Sequence, residues 1–512
     1  MKPVILIQNR SVQPLYALSL AAARGVTLLL LAGLFLMTGC KKETDVTPAG
    51  NVTAKAGPDQ SVQAGQTITL DGSASVDSDG KPLTYLWAIV RKPAKSLATL
   101  SDAASFKPTV KTDEVGEYEF ELTVSSANGK STDRVVVAAS VAEPLAITAN
   151  ITVKTTLVDR IANPELPDYI VTRSIDVTNE LTINPGVVIA FERDVRMTIS
   201  DGGGLLTAKG TPEQKIKLIG AQNSKGFWVG LTLYSSSNAN SMEYVEVRNT
   251  GSLAAYSTTK AALFVAGSSK AQISLKNCLF TKNDGYGIYV YEGGILREFS
   301  QNAFSANNEA GILLDALNVA KLDAASTFTA GNGPNNERNV VEVATSNITG
   351  KNEVVWAGFA DKTPYRINGI LGINTGFKLA PGVTMEMNRD ALIQINDTGY
   401  LSAKGTPTQK VIFTSTDRTA AYWRGIISYS PDAKNELENA EVNNAGSSSI
   451  VSNRKANIAV WGTHATINIT KTRISGSGGY GVFVGYGSSG NADLSTANTF
   501  DNNALVNVLI DK

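Results

Sequence analysis

Histidine and cysteine are scarce in this 512-residue chain, which has one histidine and two cysteines. The histidine, His464, lies in the segment Trp461-Gly-Thr-His-Ala465 with no cysteine or second histidine beside it, which excludes a histidine-rich metal site. A charge excess of either sign is also lacking, because 46 basic residues balance 46 acidic ones. The sequence therefore predicts no cofactor and no nucleic-acid partner.

No apolar run is long enough to span a bilayer. The run from Val26 to Met37 is too short for a transmembrane helix but long enough for the apolar region of a signal peptide. It leads into Met37-Thr-Gly-Cys40, which resembles the lipobox of bacterial lipoproteins, here of a Bacteroidetes-like kind. The resemblance implies that residues 1–39 are a lipoprotein signal peptide, that Cys40 is acylated, and that residues 40–50 are a tether.

The lysine after Cys40 resembles lipoproteins that are sent on to the outer membrane. We therefore expect a protein that a lipid anchors to the outer membrane at the cell surface, with a body that does not enter the bilayer. If Cys40 is acylated, Cys278 is the only other thiol, so no intramolecular disulfide can form. The apolar neighbours of Cys278 predict a buried structural thiol. The oligomeric state stays open.

One block of sequence occurs twice in the chain. Pro185-Gly-Val187 recurs as Pro381-Gly-Val383, and Trp228 recurs as Trp423 at nearly the same offset. A long repeat with a nearly constant offset predicts two tandem units of one architecture. These units, called unit 1 and unit 2, are residues 145–339 and 340–512.

A shorter period, of about 24 residues, lies inside unit 1. Phe280, Phe304 and Phe328 follow it, and so do Asn283 and Asn307. One period fits one coil of a solenoid, so we expect stacked phenylalanines in the interior and an asparagine ladder at a corner. At about 24 residues per coil and about 4.8 Å per stacked strand, about 15 coils would form a rod of roughly 70 Å.

Strand-like segments in these coils alternate between two faces. Within Gly287 to Val290, Ile288 and Val290 should point inward and Tyr289 outward. Together with the Pro-Gly-Val and Trp-x-Gly blocks, such segments resemble the right-handed parallel β-helix of pectate lyases and many surface proteins. The resemblance covers about residues 145–512 and implies a shape rather than a chemistry.

Residues 51–142 have a different texture, with short alternating strands between turn-forming residues, which predicts a small β-sandwich. Gly57-Pro-Asp-Gln60, Leu83-Thr-Tyr-Leu-Trp87 and Gly116-Glu-Tyr-Glu-Phe120 resemble a PKD-type Ig-like domain. A sandwich of this kind needs buried aromatics, so Trp87 and Tyr118 are expected in its core.

Two aspartates of this domain, Asp77 and Asp79, are weak calcium candidates. Carboxylates at this spacing can bind calcium, but such a segment is more often a solvated turn.

Catalytic motifs of known β-helix enzymes are missing. The Gly-His-Gly and Arg-x-Lys of polygalacturonases and the Arg-x-x-Pro-x-x-Arg of pectate lyases do not occur. Several polar residues recur in both units, and two copies favour a turn requirement over a single catalytic centre. The recurring pairs are Lys209 and Lys404, Arg193 and Arg389, and Asp194 and Asp390. The sequence thus argues against an enzyme, and no catalytic residue is assigned.

Outward-facing aromatics mark the best candidate surface for a ligand, because sugars stack on exposed rings. Tyr289 and Tyr291 share one strand, Asp315 follows Tyr291 by one period, and charged residues follow in the adjoining loop. Isolated surface aromatics without function are the alternative. The candidate glycan-binding residues are Tyr289, Tyr291, Glu292, Arg297, Asp315 and, in unit 2, Phe483.

We therefore predict an all-β protein with a PKD-like β-sandwich followed by a β-helix of two tandem units. Its expected role is that of a lipid-anchored, non-catalytic scaffold that binds or displays carbohydrate or mediates adhesion. A β-helix polysaccharide lyase or glycoside hydrolase is one alternative, and a purely structural stalk is another. A compact cluster of basic residues and carboxylates in one groove would favour the enzyme.

Overall fold

The computed structural model describes residues 51–141, 143–329 and 333–511. The predicted signal peptide, Cys40 and the predicted tether lie outside these residues, so all three, acylation included, stay predictions. The described chain contains 47 strands and one short helix, α1 (Ala316–Val319), which confirms the predicted all-β class.

The N-terminal domain is a β-sandwich with its own core. Its strands are β1 (Val52–Thr53), β2 (Gln60–Gln63), β3 (Thr67–Thr69), β4 (Val76–Asp77), β5 (Thr84–Arg91), β6 (Thr109–Lys111), β7 (Gly116–Ser126) and β8 (Gly129–Ser140). Every second residue of β7 from Tyr118 to Val124 is buried, because successive side chains of a strand point to opposite faces. One sheet has the order β2-β8-β7-β5, and β3-β6 and β1-β4 form two-stranded sheets.

The two expected core aromatics are confirmed, since Trp87 is 2% exposed and Tyr118 is 0% exposed. The hydroxyl of Tyr118 accepts a hydrogen bond from the backbone N–H of Glu114 at 2.8 Å, which ties the turn before β7 to the core.

The rest of the described chain is a parallel β-helix, whose coils each pass three sides. One side is a 13-stranded sheet, called the long sheet, which runs through both units. Its strands are β12 (Ile175–Val177), β15 (Arg196–Ile199), β18 (Gly230–Leu233), β21 (Ala261–Val265), β24 (Tyr286–Val290), β27 (Ala310–Leu314), β28 (Arg338–Val343), β31 (Tyr365–Ile367), β34 (Thr384–Met387), β37 (Val411–Ser415), β40 (Ala440–Asn443), β43 (Arg473–Ser475) and β46 (Thr499–Asp501).

The other two sides of unit 1 are a seven-stranded and a six-stranded side sheet. The first contains β9 (Leu145–Ile147), β11 (Tyr169–Val171), β14 (Val188–Phe191), β17 (Ile216–Gly220), β20 (Val245–Arg248), β23 (Leu279–Thr281) and β26 (Ala303–Ser305). The second contains β10 (Thr155–Leu157), β13 (Glu180–Ile183), β16 (Leu205–Lys209), β19 (Ser241–Glu243), β22 (Gln272–Lys276) and β25 (Ile295–Ser300).

Unit 2 also has a seven-stranded and a six-stranded side sheet. The first contains β29 (Ser346–Ile348), β32 (Ile370–Ile373), β35 (Leu392–Ile395), β38 (Gly425–Ser428), β41 (Ala456–Val460), β44 (Tyr480–Val484) and β47 (Val508–Ile510). The second contains β30 (Val354–Trp356), β33 (Gly376–Leu379), β36 (Tyr400–Lys404), β39 (Glu436–Glu438), β42 (Thr466–Thr470) and β45 (Ser489–Gly490).

The coils vary in length, so the expected number of about 15 is too high. Tyr365 pairs with Met385 in one of the shorter coils, whereas Arg196 pairs with Gly230 in a much longer one. Loops inserted at the corners use up chain without adding strands. The 13 strands of the long sheet, at about 4.8 Å each, give a rod of roughly 60 Å.

The two units are related by sequence but rotated about the rod axis. The Pro-Gly-Val block of unit 1 leads into β14, in a side sheet, whereas the matching block of unit 2 leads into β34, in the long sheet. The reason is that unit 1 begins with β9 on a side sheet and unit 2 begins with β28 on the long sheet. Unit 1 therefore does not contain a whole number of coils, and equivalent surfaces of the two units lie on different sides of the rod.

The predicted interior ladders are confirmed. The rings of Phe280 and Phe304 are 5.4 Å apart, and those of Phe304 and Phe328 are 5.0 Å apart, with nearly parallel planes. The side-chain amide of Asn283 donates to Asn307 at 2.9 Å, and that of Asn307 donates to Asn336 at 2.8 Å. Each ladder thus joins successive coils through like side chains.

The recurring Arg-Asp pairs form matching turns, as predicted. Asp194 and Asp390 have φ of 61° and 59°, a left-handed conformation that aspartate tolerates in turns. The guanidinium groups before them lie 4.7 and 4.6 Å from the centres of aromatic rings, Arg193 over Phe227 and Arg389 over Tyr422. These residues therefore shape a corner of the coil in each unit.

Candidate functional site

One row of outward-facing side chains crosses the long sheet from strand to strand. From β15 to β34 the row reads Thr198, Thr232, Phe264, Tyr289, Leu313, Glu342, Arg366 and Glu386. Its character changes from small and polar, through aromatic and apolar, to charged. The aromatic part lies in unit 1 and the charged part in unit 2.

The aromatic part is the centre of a larger cluster, which we call the aromatic surface. It consists of Tyr234, Tyr256, Phe264, Tyr289 and Tyr291. Phe264 is 1% exposed, because Tyr256 stacks on it at 5.0 Å and Tyr289 packs against it at 5.4 Å. The ring centres of Tyr256 and Tyr291 are 4.8 Å apart, and the two residues remain 40% and 36% exposed. These two rings are the parts of the cluster that a ligand can reach most easily.

A short hairpin brings Tyr256 onto the sheet. Two backbone hydrogen bonds close this hairpin. The N–H of Thr259 donates to the carbonyl oxygen of Tyr256 at 2.9 Å, and the N–H of Tyr256 donates to the carbonyl oxygen of Thr259 at 3.3 Å. The hairpin leaves the coil at Gly251, which has φ of +97° and where a Cβ would lie 2.0 Å from the carbonyl oxygen of Asp284. Only glycine permits this backbone approach.

The hydroxyl groups of Tyr289 and Tyr291 stay protonated at neutral pH. Burial, together with the nearby Tyr291 and Tyr256, raises the pKa of Tyr289 to about 12. A hydrogen bond with Tyr256 raises the pKa of Tyr291. The surface therefore offers apolar ring faces with neutral hydrogen-bonding groups at their edges.

The predicted strand phase is confirmed around Tyr289. Ile288 and Val290 are buried in the interior, whereas Tyr289 and Tyr291 lie outside. Tyr289 is only partly exposed, because it packs against Phe264 and the neighbouring tyrosines. Sugar binding by these residues stays a prediction.

Two charged candidates are already bonded to other groups of the protein. Asp315 is 6% exposed, and its carboxylate caps α1 by accepting the backbone N–H groups of Leu317 and Asn318, each at 2.9 Å. Arg297 lies on β25 in a side sheet, where its guanidinium donates to the carbonyl oxygen of Asn238. A spacing of one coil predicts that Asp315 lies level with Tyr291, but it does not show that the Asp315 carboxylate is used to cap α1. Nor does it show that a corner of the coil separates Arg297 from the tyrosines.

Phe483 faces outward as expected, but it is fully buried. The rings of Trp461 and Tyr480 lie 6.1 and 6.3 Å from it, and the guanidinium of Arg454 lies 6.0 Å from its centre. Because unit 2 is rotated, this cluster lies on a side sheet and not beside the aromatic surface of unit 1.

A cavity of about 440 Å³ opens at the corner directly after Tyr291. Among the residues that line it are Glu292, Asp315, Lys321 and Asn347. Glu292 is therefore well placed beside the aromatic surface. The sequence missed Lys321 and Asn347, which α1 and the start of unit 2 bring to this corner and which no local pattern marks.

Tyr256 and Phe264 were also missed. A usable signal exists for Phe264, since alternation in Ala261–Val265 points it outward at the position that Tyr289 occupies on the next coil. No such signal exists for Tyr256, because its contact depends on the fold of the hairpin.

The charged part of the row, together with its neighbours, is an ion-pair cluster. The carboxylate of Glu342 accepts hydrogen bonds from Arg338 at 2.5 Å, Tyr286 at 2.8 Å and Asn368 at 2.9 Å, and its side chain is 4% exposed. Burial and the charge of Glu342 raise the pKa of Tyr286. Glu342 is thus held by several donors.

A second carboxylate of the cluster is similarly held. Glu386 pairs with Arg366 at 2.8 Å and with Arg418 at 3.2 Å, and its side chain is 11% exposed. Arg366 lies between Glu342 and Glu386 in the row. Basic and acidic groups therefore do form one compact cluster on the long sheet.

The calcium candidates of the β-sandwich are occupied by protein donors. Asp77 accepts hydrogen bonds from Ser126 and Asn128 and from the backbone N–H of Asp79. Asn128 also donates to the carboxylate of Asp79 at 3.0 Å. Within the described residues there is no group of three or more histidine, cysteine, aspartate or glutamate residues that could hold a metal ion.

The thiol of Cys278 is buried, and burial raises its pKa to about 12, as expected of a structural cysteine. His464 is exposed in a turn with φ of 68°. Across residues 51–141, 143–329 and 333–511, no helix has the length and apolarity needed to cross a membrane.

Comparison with known proteins finds a family match in the N-terminal domain. Residues 56–139 match a family model of the PKD domain. The solution structure of the PKD domain from KIAA 1837 protein is 35% identical and covers 18% of this chain and 89% of that one, with a TM-score of 0.16. The solution structure of the PKD domain from human KIAA0319 is 19% identical and covers 20% and 95%, with a TM-score of 0.17.

A nucleoside hydrolase-related hypothetical protein from Saccharophagus degradans, described as associated with carbohydrate metabolism, is 23% identical with a TM-score of 0.16. The match covers 18% of this chain and a quarter, 25%, of that protein. No curated protein matches significantly. The chain thus contains an N-terminal PKD domain, which is followed by a parallel β-helix.

Proposed function

We propose that this protein is a lipid-anchored cell-surface scaffold that binds carbohydrate without cleaving it, through the aromatic surface of unit 1. The observation that carries the proposal is the pair of exposed rings, Tyr256 and Tyr291, held on a platform of buried Phe264 and half-buried Tyr289. A PKD domain suggests an extracellular, adhesion-type module.

The chemistry of the surface fits a sugar better than a flat apolar partner. The C–H faces of a sugar ring pack on aromatic rings, and its hydroxyl groups need donors and acceptors at the edges of those rings. Tyr256 and Tyr291 supply both, and Glu292 adds a carboxylate at the adjoining corner. Neighbouring strands are about 4.8 Å apart, close to the length of one hexose, so that successive coils can contact successive sugars.

The expected affinity is modest. An open surface leaves much of each sugar solvated, and a flexible polysaccharide loses entropy when it is held. Binding should therefore grow with the length of the oligosaccharide.

A polysaccharide array probed with the purified protein tests the proposal, with a Tyr256→Ala plus Tyr291→Ala variant beside it. We expect retention of at least one neutral polysaccharide by the native protein and loss of retention by the variant. A matched control is Tyr486→Ala, which removes a tyrosine that is 77% exposed on unit 2. Unchanged retention by the double variant would rule out this surface.

The lyase or hydrolase alternative depends on the ion-pair cluster. Hydrolysis needs two carboxylates that flank one bond and can reach it. Glu342 and Glu386 are two strands apart, about 10 Å, and both are covered by arginines that already bind them. This arrangement favours a structural role for the cluster. Release of reducing ends or of unsaturated sugars from a bound polysaccharide, abolished by Glu342→Gln, would support the enzyme instead.

A purely structural stalk is the remaining alternative. It would bind no polysaccharide of the array, and the aromatic surface would then serve only to seal the hairpin onto the sheet.

A further inference from the structure

The repeated Pro-Gly-Val block builds a corner pocket in each unit. In unit 1 the backbone N–H of Gly186 donates to the carbonyl oxygen of Gln214 at 3.0 Å, and in unit 2 Gly382 donates to Gln409 at 3.1 Å. Beside these matching turns lie cavities of about 400 Å³ in unit 1 and about 620 Å³ in unit 2. The two units thus have the same turn at this corner but cavities of different volume.

Loop length explains the difference in volume. Eleven residues, 158–168, connect β10 to β11, whereas eight residues, 357–364, connect β30 to β31. In unit 1 the longer loop is tied across the corner, because the Lys217 ammonium bonds to the Pro164 carbonyl at 2.8 Å and to Glu165 at 2.6 Å. In unit 2 the matching position is Ile412, which cannot make such a tie, and the pocket stays open.

The lining of the unit 2 pocket also differs in charge from that of unit 1, because no acidic residue lines it in the part of the chain that the structure describes. The unit 1 pocket is lined by Asp159 and Glu213. In unit 2, Thr408 stands at the position of Glu213, and Lys362 and Lys410 are the only charged side chains among the described residues of the lining. Two acids lie next to the lining and already have partners there. Glu441 pairs with Lys410 at 2.9 Å, and Asp361 accepts the backbone N–H groups of Phe328 at 2.8 Å and Thr363 at 3.0 Å.

The remaining lining suits a sugar ring. Phe359 and Pro381 provide apolar surface, and Thr408 and Gln409 provide hydroxyl and amide groups. Lys362 lies in a turn with φ of 61°, and it makes no ion pair with any residue that the structure describes. A free ammonium beside neutral hydrogen-bonding groups and an apolar floor favours a ligand that carries one negative charge.

We propose that the unit 2 corner pocket binds a sugar residue with an anionic substituent, a carboxylate or a sulfate, through Lys362. The pocket borders the long sheet at β31, β34 and β37, and the aromatic surface lies on the same sheet. Three strand spacings, roughly 14 Å, separate β24 from β31. One acidic polysaccharide could therefore contact both sites. This consequence rests on the proposed function, whereas the proposal that the pocket binds an anionic sugar does not.

Titration of the purified protein with glucuronate, glucose 6-sulfate and glucose, followed by calorimetry or by NMR of the ligand, tests the pocket. We expect glucuronate or the sulfate to bind at least about tenfold more tightly than glucose, the scale of one charge-assisted hydrogen bond. Preference between the two acids identifies the substituent. Equal binding of glucose, or no binding of either acid at millimolar concentration, would overturn the proposal.

The matched variants are Lys362→Gln and Lys215→Gln. The first removes the free ammonium, and the second removes the lysine that stands in the unit 1 pocket where Lys410 stands in unit 2. We expect about a tenfold loss of affinity for the acid with Lys362→Gln and none with Lys215→Gln. An equal loss in both variants would contradict the assignment to unit 2.

The double variant Tyr256→Ala plus Tyr291→Ala separates this inference from the proposed function. It should bind the acidic monosaccharide as the native protein does, because the aromatic surface does not line the pocket. If the acid binds and no polysaccharide is retained, the proposed function fails and the pocket stands. If polysaccharide is retained through the aromatic surface and no acid binds, the pocket fails alone.

Discussion

Tyr256 stacks on Phe264 with their ring planes only 6° apart, although Tyr256 belongs to a hairpin outside the coil and Phe264 to a strand of the long sheet. The contact closes the hairpin over the sheet, and Tyr256 remains 40% exposed. The hairpin thus gives this outer face of the β-helix two accessible rings, those of Tyr256 and Tyr291.

Conservative substitutions at these two rings should separate stacking from hydrogen bonding. Tyr256→Phe and Tyr291→Phe keep the rings and remove the hydroxyl groups, so we expect a loss of glycan affinity of less than about fivefold, against full loss for the alanine variants. Affinity electrophoresis in gels that contain the polysaccharide measures the difference. Phenylalanine variants as weak as the alanine variants would show that the hydroxyl groups, and not the rings, carry binding.

Tyr289 should behave differently from Tyr291, because it is half-buried against Phe264. We expect Tyr289→Ala to lower the free energy of unfolding by about 1–3 kcal/mol, and Tyr291→Ala to change it by less than about 1 kcal/mol. Urea denaturation followed by circular dichroism gives both values. Equal losses would mean that Tyr291 also supports the fold.

Phe304 lies between Phe280 and Phe328 in the interior, and all three are fully buried. Phe304→Ala should reduce the free energy of unfolding by about 3–5 kcal/mol, because the coils above and below cannot close the cavity. Phe106→Ala, which removes a phenylalanine that is 48% exposed in the PKD domain, is the control and should cost far less. A small effect of Phe304→Ala would indicate that the coils relax around the gap.

Asp315 should matter for α1 and not for ligand. Asp315→Ala removes the acceptor for two backbone N–H groups, so we expect a loss of about 0.5–2 kcal/mol of stability. Asp315→Asn retains a capping acceptor and should lose less. Glycan affinity should be unchanged in Asp315→Asn, and a loss of affinity without a loss of stability would return Asp315 to the binding surface.

Cys278 predicts a pH dependence. Burial raises the pKa of its thiol from 9.0 to about 12, so the folded chain keeps a proton that the unfolded chain releases. This contribution to stability is complete below pH 9 and is lost as the pH rises toward 12. The stability of Cys278→Ala should therefore fall less steeply over this range. Identical slopes would show that the thiol is not desolvated.

Cys40 is the only residue proposed to carry the anchor. Cys40→Ser should abolish labelling by a radioactive fatty acid and release the protein from the membrane fraction. Labelling that persists in the variant would place the lipid, or the attachment, elsewhere.

Features that depend on a local period could be predicted from the residues alone. Phe280, Phe304 and Phe328 could be assigned to one interior stack because side chains that recur once per coil occupy the same place on successive coils. The alternation around Tyr289 likewise separated inward from outward positions, since it depends only on the geometry of one strand. The PKD domain could be recognised because its motifs lie within short, contiguous segments of residues 51–142.

Which outward-facing residues contact one another depends on the assembled fold. Coils of unequal length, and a first unit that does not contain a whole number of coils, place Phe483 on a different side from Tyr289. The hairpin that carries Tyr256 and the loop that opens the unit 2 pocket act through their length and path, which leave no periodic trace. The repeat period of the sequence determines where a residue lies within its coil. The contacts that loops make with the sheets arise only when the whole rod is assembled.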